Sequence, residues 1–378
     1  MALHDELRHL ARLPRSNAPF LSLYLNTRWD SEKQRERVRI FVKTKLKECL
    51  AEAAALPSEA RQGLEEDAER LEHYVRGVVN REWDETFGGV AVFACSGLGE
   101  YRVLRSRLPF DQSFTCSDRP VLRAVAEKAH EAEPALLALV NGDAGRLMVF
   151  EMGGVTRELS FVDEEFPGRH EQGGWSQARY QRHVEEHLNR NLKRLAEHLI
   201  KWADERRGAP VLLSGPDQLL AAFEALLPKR LEGAVWARLR LEPSAAPDVV
   251  QAEVLAALQA GREREDAEAV DNLLNKVRGT GRGVAGPEPV AEAVAAGRVH
   301  VLYLARAFRE LGWKCFSCGG LGVKVPLGCP GCGKAVEGVD LAEELIRGTL
   351  AADGKVVAVN GHGGLLGEGG VGAALRYA

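Results

Sequence analysis

No run of apolar residues in this chain is long enough to cross a bilayer, and the stretch from Met1 to Leu13 is polar and charged. A membrane helix and a secretory leader are both unexpected, so the chain reads as soluble and cytoplasmic, with no membrane partner. Strong charge of either sign is missing too. A formal net charge of -4 over 378 residues argues against a protein that coats nucleic acid indiscriminately. There is no internal repeat and no cluster of acids placed for a metal-dependent nuclease. The glycine-rich stretch 361–370 lacks a Gly-Lys-Ser/Thr ending, which excludes a phosphate-binding Walker loop of the usual kind. What remains is an ordinary globular composition, 45% hydrophobic, at a length that suggests two or three domains.

Hydrophobic patterning divides the chain into 1–132, 133–248 and 249–378. The first segment has an apolar strand from Phe20 to Leu25, a basic helix, a charged helix near 58–80 and a second strand from Gly89 to Ala94, a mixed α/β pattern. The second has strands at 136–140, 146–151, near 156–161 and at 210–214. Between the last two lies a long helix whose Val184, Leu188, Leu192, Leu195 and Leu199 form one apolar stripe. His183, His187 and His198 lie on or near that helix and read as solvated. The third segment opens with a helix from about Asp248 to Arg278, its charged middle reading as a solvated connection. It then alternates strands and helices to Tyr377, which implies an α/β sandwich.

Positive charge is local. Lys33, Arg35, Arg37, Arg39, Lys43, Lys45 and Lys47 share the first helix, and Arg179, Arg182, Arg190, Lys193 and Arg194 follow on the long one. Two solvated helix faces would look the same, but so would two contacts to RNA phosphate.

Just ahead of the long helix stands Pro167-Gly168-Arg169-His170-Glu171-Gln172-Gly173-Gly174-Trp175-Ser176-Gln177. Gly173 and Gly174 allow close backbone approach to a partner, and Arg169 and His170 offer donors to phosphate. Ser176 is suited to cap the helix, with Gln177 in its first turn, where unpaired N–H groups favour developing negative charge. An amide has no useful pKa, so Gln177 is no general base. It can hold a water and, with backbone N–H groups, stabilise an oxyanion. A plain turn before a helix uses the same residue types.

Cys315-x-x-Cys318 and Cys329-x-x-Cys332, each pair followed by glycine, are spaced as two zinc knuckles over 313–334. Four thiolates make a closed tetrahedral set with no open position, so the zinc expected here is structural. Cys49, Cys95 and Cys116 are scattered and read as ordinary residues.

The 167–180 stretch resembles the Pro-Gly-Lys-His-x-x-Gly-Gly-Gln-Ser-Ala-Arg-Arg-Phe loop of the archaeal and eukaryotic class-1 peptide-chain release factors. Gly168-Arg169-His170, Gly173-Gly174 and Ser176-Gln177-Ala178-Arg179-Tyr180 carry the likeness. Trp175 and Ser176 stand between the glycine pair and the glutamine, a spacing that resembles the bacterial relatives and ribosome quality-control hydrolases. The last segment resembles the third domain of release factors and Pelota through Val299-His300-Val301-Leu302-Tyr303-Leu304 and Ala374-Leu375-Arg376-Tyr377, and archaeal release factors carry a similar zinc insertion there. In the first segment Phe114-Thr115-Cys116-Ser117-Asp118-Arg119-Pro120 echoes the Tyr-x-Cys-x-x-x-Phe signature, whereas the Asn-Ile-Lys-Ser signature is absent.

The resemblance implies an α/β multidomain fold: a decoding-like first domain, an RNase H-like middle domain with the loop 168–177, and a kink-turn-binding ribosomal protein-like α/β sandwich bearing a zinc ribbon. It implies a factor that enters the ribosomal A site and hydrolyses the peptidyl-tRNA ester on stalled ribosomes, with Gln177, Gly173 and Gly174 catalytic. Arg169, His170, Trp175, Ser176, Arg179, Arg182, Lys43 and Lys45 would contact RNA. Two other readings stand beside it: a non-catalytic hibernation or Pelota-like factor that recruits a translational GTPase, with Trp175 stacked on a base, and a kink-turn RNA binder acting through the last domain.

Overall fold

The computed structural model describes residues 3–29, 31–79, 87–164, 177–242, 244–279 and 281–377. They form two compact units, Met1–Glu131 with Glu265–Ala378, and Ala132–Arg264.

The chain starts with α1 (Leu3–Arg12), β1 (Phe20–Asn26), α2 (Glu32–Glu52), α3 (Ser58–Val79), β2 (Gly89–Cys95), β3 (Glu100–Ser106), β4 (Ser113–Ser117) and α4 (Arg123–Glu131). The strands make an antiparallel sheet in the order β3-β2-β1-β4. Both faces of β1 and β2 are covered, which explains why these strands are continuous apolar runs and not alternating ones. Leu21, Leu23, Val90 and Val92 face Val42 and Leu46 of α2 and Leu64 and Leu71 of α3. Phe20, Tyr24 and Phe93, on the opposite face, meet Leu7 and Leu10 of α1 and Val125 of α4. That second core runs on into Val290, Leu341 and Leu345 near the far end of the chain, so the first and last segments fold as one body.

The other unit contains β5 (Ala135–Val140), β6 (Ala144–Glu151), β7 (Gly154–Val162), α5 (Gln177–Glu205), β8 (Val211–Ser214), α6 (Asp217–Glu224) and β9 (Val235–Leu239). It also holds the first half of α7 (Pro247–Gly279). The sheet order is β7-β6-β5-β8-β9, with β6 antiparallel to both neighbours and β5, β8 and β9 mutually parallel. This is the RNase H-like arrangement expected for the segment. Leu192, Leu195 and Leu199 of α5 and Phe223 of α6 pack on one face, and Val250, Val254 and Leu258 of α7 on the other.

Within α5 the expected stripe holds: Leu192, Leu195 and Leu199 are buried, Val184 and Leu188 half-buried, and Arg182, Arg190, Lys193 and Arg194 exposed. A fully buried leucine contributes about 1.5–3 kcal/mol. An exposed ion pair contributes at most about 1 kcal/mol, so the stripe and not the charges sets the rotation of the helix on its sheet.

The last segment comprises the second half of α7, β10 (Gly283–Ala285), α8 (Pro287–Ala295), β11 (Val299–Ala305), β12 (Leu311–Lys314), β13 (Leu321–Gly322), β14 (Glu337–Asp340), α9 (Leu341–Ala351), β15 (Lys355–Val359), α10 (Gly363–Gly367) and β16 (Val371–Leu375). Strands β10, β16, β11 and β15 form one sheet in that order. Helices α8 and α9 cover one face, while Val270 and Leu274 of α7 with Leu365 of α10 cover the other, an α/β sandwich as expected. A small antiparallel sheet, β13-β12-β14, is inserted between β11 and α9. The charged middle of α7 is not wholly solvated. Asp266 is buried, and its carboxylate lies 3.0 Å from His130 Nε2.

Candidate metal centre and the base of the glycine loop

The four ribbon cysteines come together as their spacing requires. One ligand atom from each of Cys315, Cys318, Cys329 and Cys332 lies within 4.8 Å of the others. Two turns of the same design hold them. In the first, the Cys315 N–H donates to Gly320 O at 2.8 Å and the Gly319 N–H to Cys315 O at 2.9 Å. In the second, the Cys329 N–H donates to Lys334 O at 2.7 Å and the Gly333 N–H to Cys329 O at 2.8 Å. Gly319 and Gly333 sit at φ 82° and 71°, a left-handed conformation open to glycine, which is the reason a glycine follows each pair. Trp313 and Val336 pack against Cys315 and Cys329 beneath the site.

The sulfurs suit one tetrahedral ion. Sγ atoms of Cys315 and Cys332 are 3.5 Å apart, and those of Cys318 and Cys329 are 3.4 Å apart. These separations are too long for a disulfide of about 2.05 Å. They approach the roughly 3.8 Å expected between thiolates that each sit about 2.3 Å from one zinc. Backbone N–H groups of Cys318 and Ser317 hold the Cys315 thiol down to about 6. Against the Gly320 N–H, which lowers it, the neighbouring Cys329, Cys332 and Cys315 push Cys318 up to about 12. Four sulfurs this close cannot all ionise together without a cation among them.

The ribbon is gripped by side chains from the start of the chain. The Phe316 ring, next to Cys315, lies under the Arg15 guanidinium at 4.3 Å and near that of Arg119 at 5.0 Å. Arg15 also makes a two-pronged bond to Glu337 at 2.8 and 2.7 Å and pairs with Asp118. Arg119 reaches Glu344, a buried carboxylate that also binds Lys314.

The glycine stretch is a different case. Gly173, Gly174, Arg169, His170, Trp175 and Ser176 lie outside the described residues, so the cap expected from Ser176 lies outside them as well. The described part of α5 runs from Gln177. Of Gln177 and Arg179 only the backbone is described.

Around that stretch the structure reveals a cluster that was not legible in the sequence. His187 was expected at the surface, yet it is 3% exposed, and its Nδ1 lies 2.8 Å from Asp163 Oδ2. Asn191, one turn on, donates to the same oxygen at 3.1 Å and to Gly142 O at 3.2 Å. The Asp163 N–H donates to Asp143 O at 2.7 Å. Asp163 follows the last residue of β7 and is half-buried, so the two stretches bordering 165–176 are joined through its carboxylate. The i, i+4 spacing of His187 and Asn191 was the available signal, because it puts both on one helix face.

The basic residues are unequal. Lys43 and Arg182 are exposed, whereas Lys45 is half-buried and bonded to Glu48 at 2.7 Å. Arg39 pairs with Glu36 at 2.7 Å, and Arg194 covers the Phe161 ring at 4.5 Å. Acids interleaved on α2 thus neutralise part of its positive face.

Residues 120–263 match the sequence model of bacterial archaeo-eukaryotic release factor family 10. Among curated protein sequences none matches. Similar solved structures include an archaeal translation termination factor, 16% identical, covering 99% of this chain and 97% of that one at a TM-score of 0.26. An archaeal Pelota from a ribosome-bound assembly with ABCE1 is 18% identical, covering 76% and 77% at 0.42. Dom34 of S. cerevisiae, a termination-like factor that interacts with Hbs1, is 11% identical, covering 76% and 80% at 0.34. Likenesses at these scores carry nothing about activity. The match over 120–263 does more: in that segment the sequence is similar to bacterial archaeo-eukaryotic release factor family 10.

Proposed function

We propose that this chain is a ribosome-associated peptidyl-tRNA hydrolase that rescues stalled ribosomes in the cytoplasm. The observation that carries the reading is the family match over 120–263, because it encloses the whole 168–177 stretch and the described part of α5 from Gln177 on. In this reading Gln177 lies where the first N–H groups of a long helix have no partner within the helix. Its amide would hold the attacking water against the ester carbonyl, and adjacent N–H groups would stabilise the oxyanion. Gly173 and Gly174 would let the backbone approach the RNA closely, while Arg169, His170, Trp175, Ser176 and Arg179 would line it. Arg182 and Lys43, and less so the neutralised Lys45, would meet ribosomal RNA phosphate. Functionally the chain would divide as 1–132, 133–248 and 249–378, with zinc in the Cys315, Cys318, Cys329 and Cys332 set as a structural ion.

The test is peptide release from purified ribosomes carrying peptidyl-tRNA. Gln177→Ala should abolish release while co-sedimentation with ribosomes persists; unchanged release sinks the mechanism. Trp175 favours a second reading, in which the ring stacks on a base and the protein occupies the A site without chemistry, recruiting a translational GTPase as Pelota-like factors do. The same assay separates the two, since only an enzyme frees peptide.

A further inference from the structure

Cys49 and Cys116, read from the sequence as unrelated, are 67 residues apart and are joined by a disulfide with Cα atoms 6.2 Å apart. The bond ties the last turn of α2 to β4, which among the described residues pairs with β1 alone, at the edge of its sheet. It is not sealed in the core. Both cysteines wall a pocket of about 240 Å³ that opens to solvent, together with Ser16, Asn17, Glu52 and Asp118. Cys49 is 3% exposed, and Cys116 is half-buried on the outer strand.

The same chain keeps Cys315, Cys318, Cys329 and Cys332 as free thiols, and a metal centre built from them needs surroundings that keep thiols reduced. Such surroundings hold small thiols able to open a disulfide they can reach. A permanent cross-link beside a solvent-open pocket is at odds with that. We propose that Cys49–Cys116 is a reversible redox site, opened by a small neutral or cationic thiol entering the pocket and closed again by a peroxide.

Opening runs in two exchanges. The thiolate of the small molecule attacks Cys116 Sγ, the less buried sulfur; the S–S bond breaks, its electron pair passes to Cys49, and that sulfur takes a proton from water. A second small thiol attacks the mixed disulfide, leaves as the small-molecule disulfide, and frees Cys116 as a thiol. Two external thiols are oxidised and the protein disulfide is reduced. In closing, the Cys116 thiolate attacks hydrogen peroxide, the O–O bond breaks, and a sulfenic acid and hydroxide form. Cys49 then displaces that oxygen as water, remaking the bond.

Charge selects the thiol. Glu52 and Asp118 are among the lining residues; Asp118 is paired with Arg15 and lies 3.7 Å from Arg119, so the negative charge rests on Glu52, and among the described residues no lysine or arginine lines the pocket. Entry of an anionic thiol is thereby disfavoured. The consequence for the fold is local: reduction frees the end of the basic helix from the edge strand, while Val38, Val42 and Leu46 keep its body on the sheet.

Non-reducing digestion of the purified full-length chain with mass spectrometry tests this. Peptides bearing Cys49 and Cys116 should be found joined, and cysteamine should part them under native conditions roughly fivefold faster than glutathione at equal concentration. Hydrogen peroxide, after removal of thiol, should rejoin them. Cys49→Ser should leave Cys116 able to form a mixed disulfide with cystamine, whereas in Cys116→Ser the buried Cys49 should not react. Unlinked peptides from the oxidised chain, or a bond that opens only after denaturation, overturn the proposal. Equal rates for the two thiols overturn the charge selection. If either variant fails to fold, the wild-type rates decide.

Discussion

Buried His187 and half-buried Asp163 face each other across a 2.8 Å contact that joins the second turn of described α5 side chains to the end of β7. The pair borders 165–176 on both sides, and Asn191 doubles the grip. Replacing His187 by Ala leaves Asp163 with one partner fewer in a half-buried setting. The expected loss is about 1–3 kcal/mol in urea unfolding of the chain. Peptide release should fall while ribosome binding stays. A variant with wild-type stability and release would show that the contact positions nothing.

Glu344 is a buried carboxylate that touches both Arg119 and Lys314. Burial raises its pKa, but the charges of Lys314 and Arg119 outweigh this and the net shift is downward. A depressed pKa in the folded state means stability that is present above the unfolded value, about 4.3, and lost as pH falls through the folded one. Glu344→Gln should destabilise the chain by about 3–5 kcal/mol at neutral pH, since half-buried Arg119 and Lys314 lose a buried partner. The gap from wild type should shrink as pH drops below about 4. Urea midpoints measured across that range check both statements.

Metal removal should act locally first. Chelation, or Cys329→Ser, should raise amide exchange across 311–340, because the knuckle hydrogen bonds and the small core of Trp313, Cys315, Cys329 and Val336 are organised around the sulfurs. Exchange should rise next around Arg15 and Arg119, which grip Phe316. The same experiment should find one zinc per chain by elemental analysis before treatment.

Lys43 and Lys45 offer a matched comparison on one helix. Lys43 is exposed, and Lys45 already bonds Glu48. If α2 meets ribosomal RNA, Lys43→Ala should reduce the slope of log affinity against log salt by about 1, and Lys45→Ala by less. Co-sedimentation at several salt concentrations reads this, and equal slopes in all three proteins would remove α2 from the interface.

Much of the local structure was legible because period decides it. The apolar stripe from Leu192 to Leu199, the strands from Phe20 and Gly89, and the alternation after α7 each follow from burying one face, a choice made within a few residues. The metal set was legible for the same reason: two short Cys-x-x-Cys turns carry their own glycines, so spacing alone brings each pair of sulfurs together. Short elements without a strong period, such as β9 and α6, gave no such signal.

Only the tertiary structure decided the long-range partners. Nothing near Cys49 names Cys116, nothing near His187 names Asp163, and nothing near Arg15 names Phe316, because each contact depends on how separate elements stack. The sharing of one core by the two ends of the chain is of the same kind: apolar faces carry no address, and geometry alone selects which of them meet.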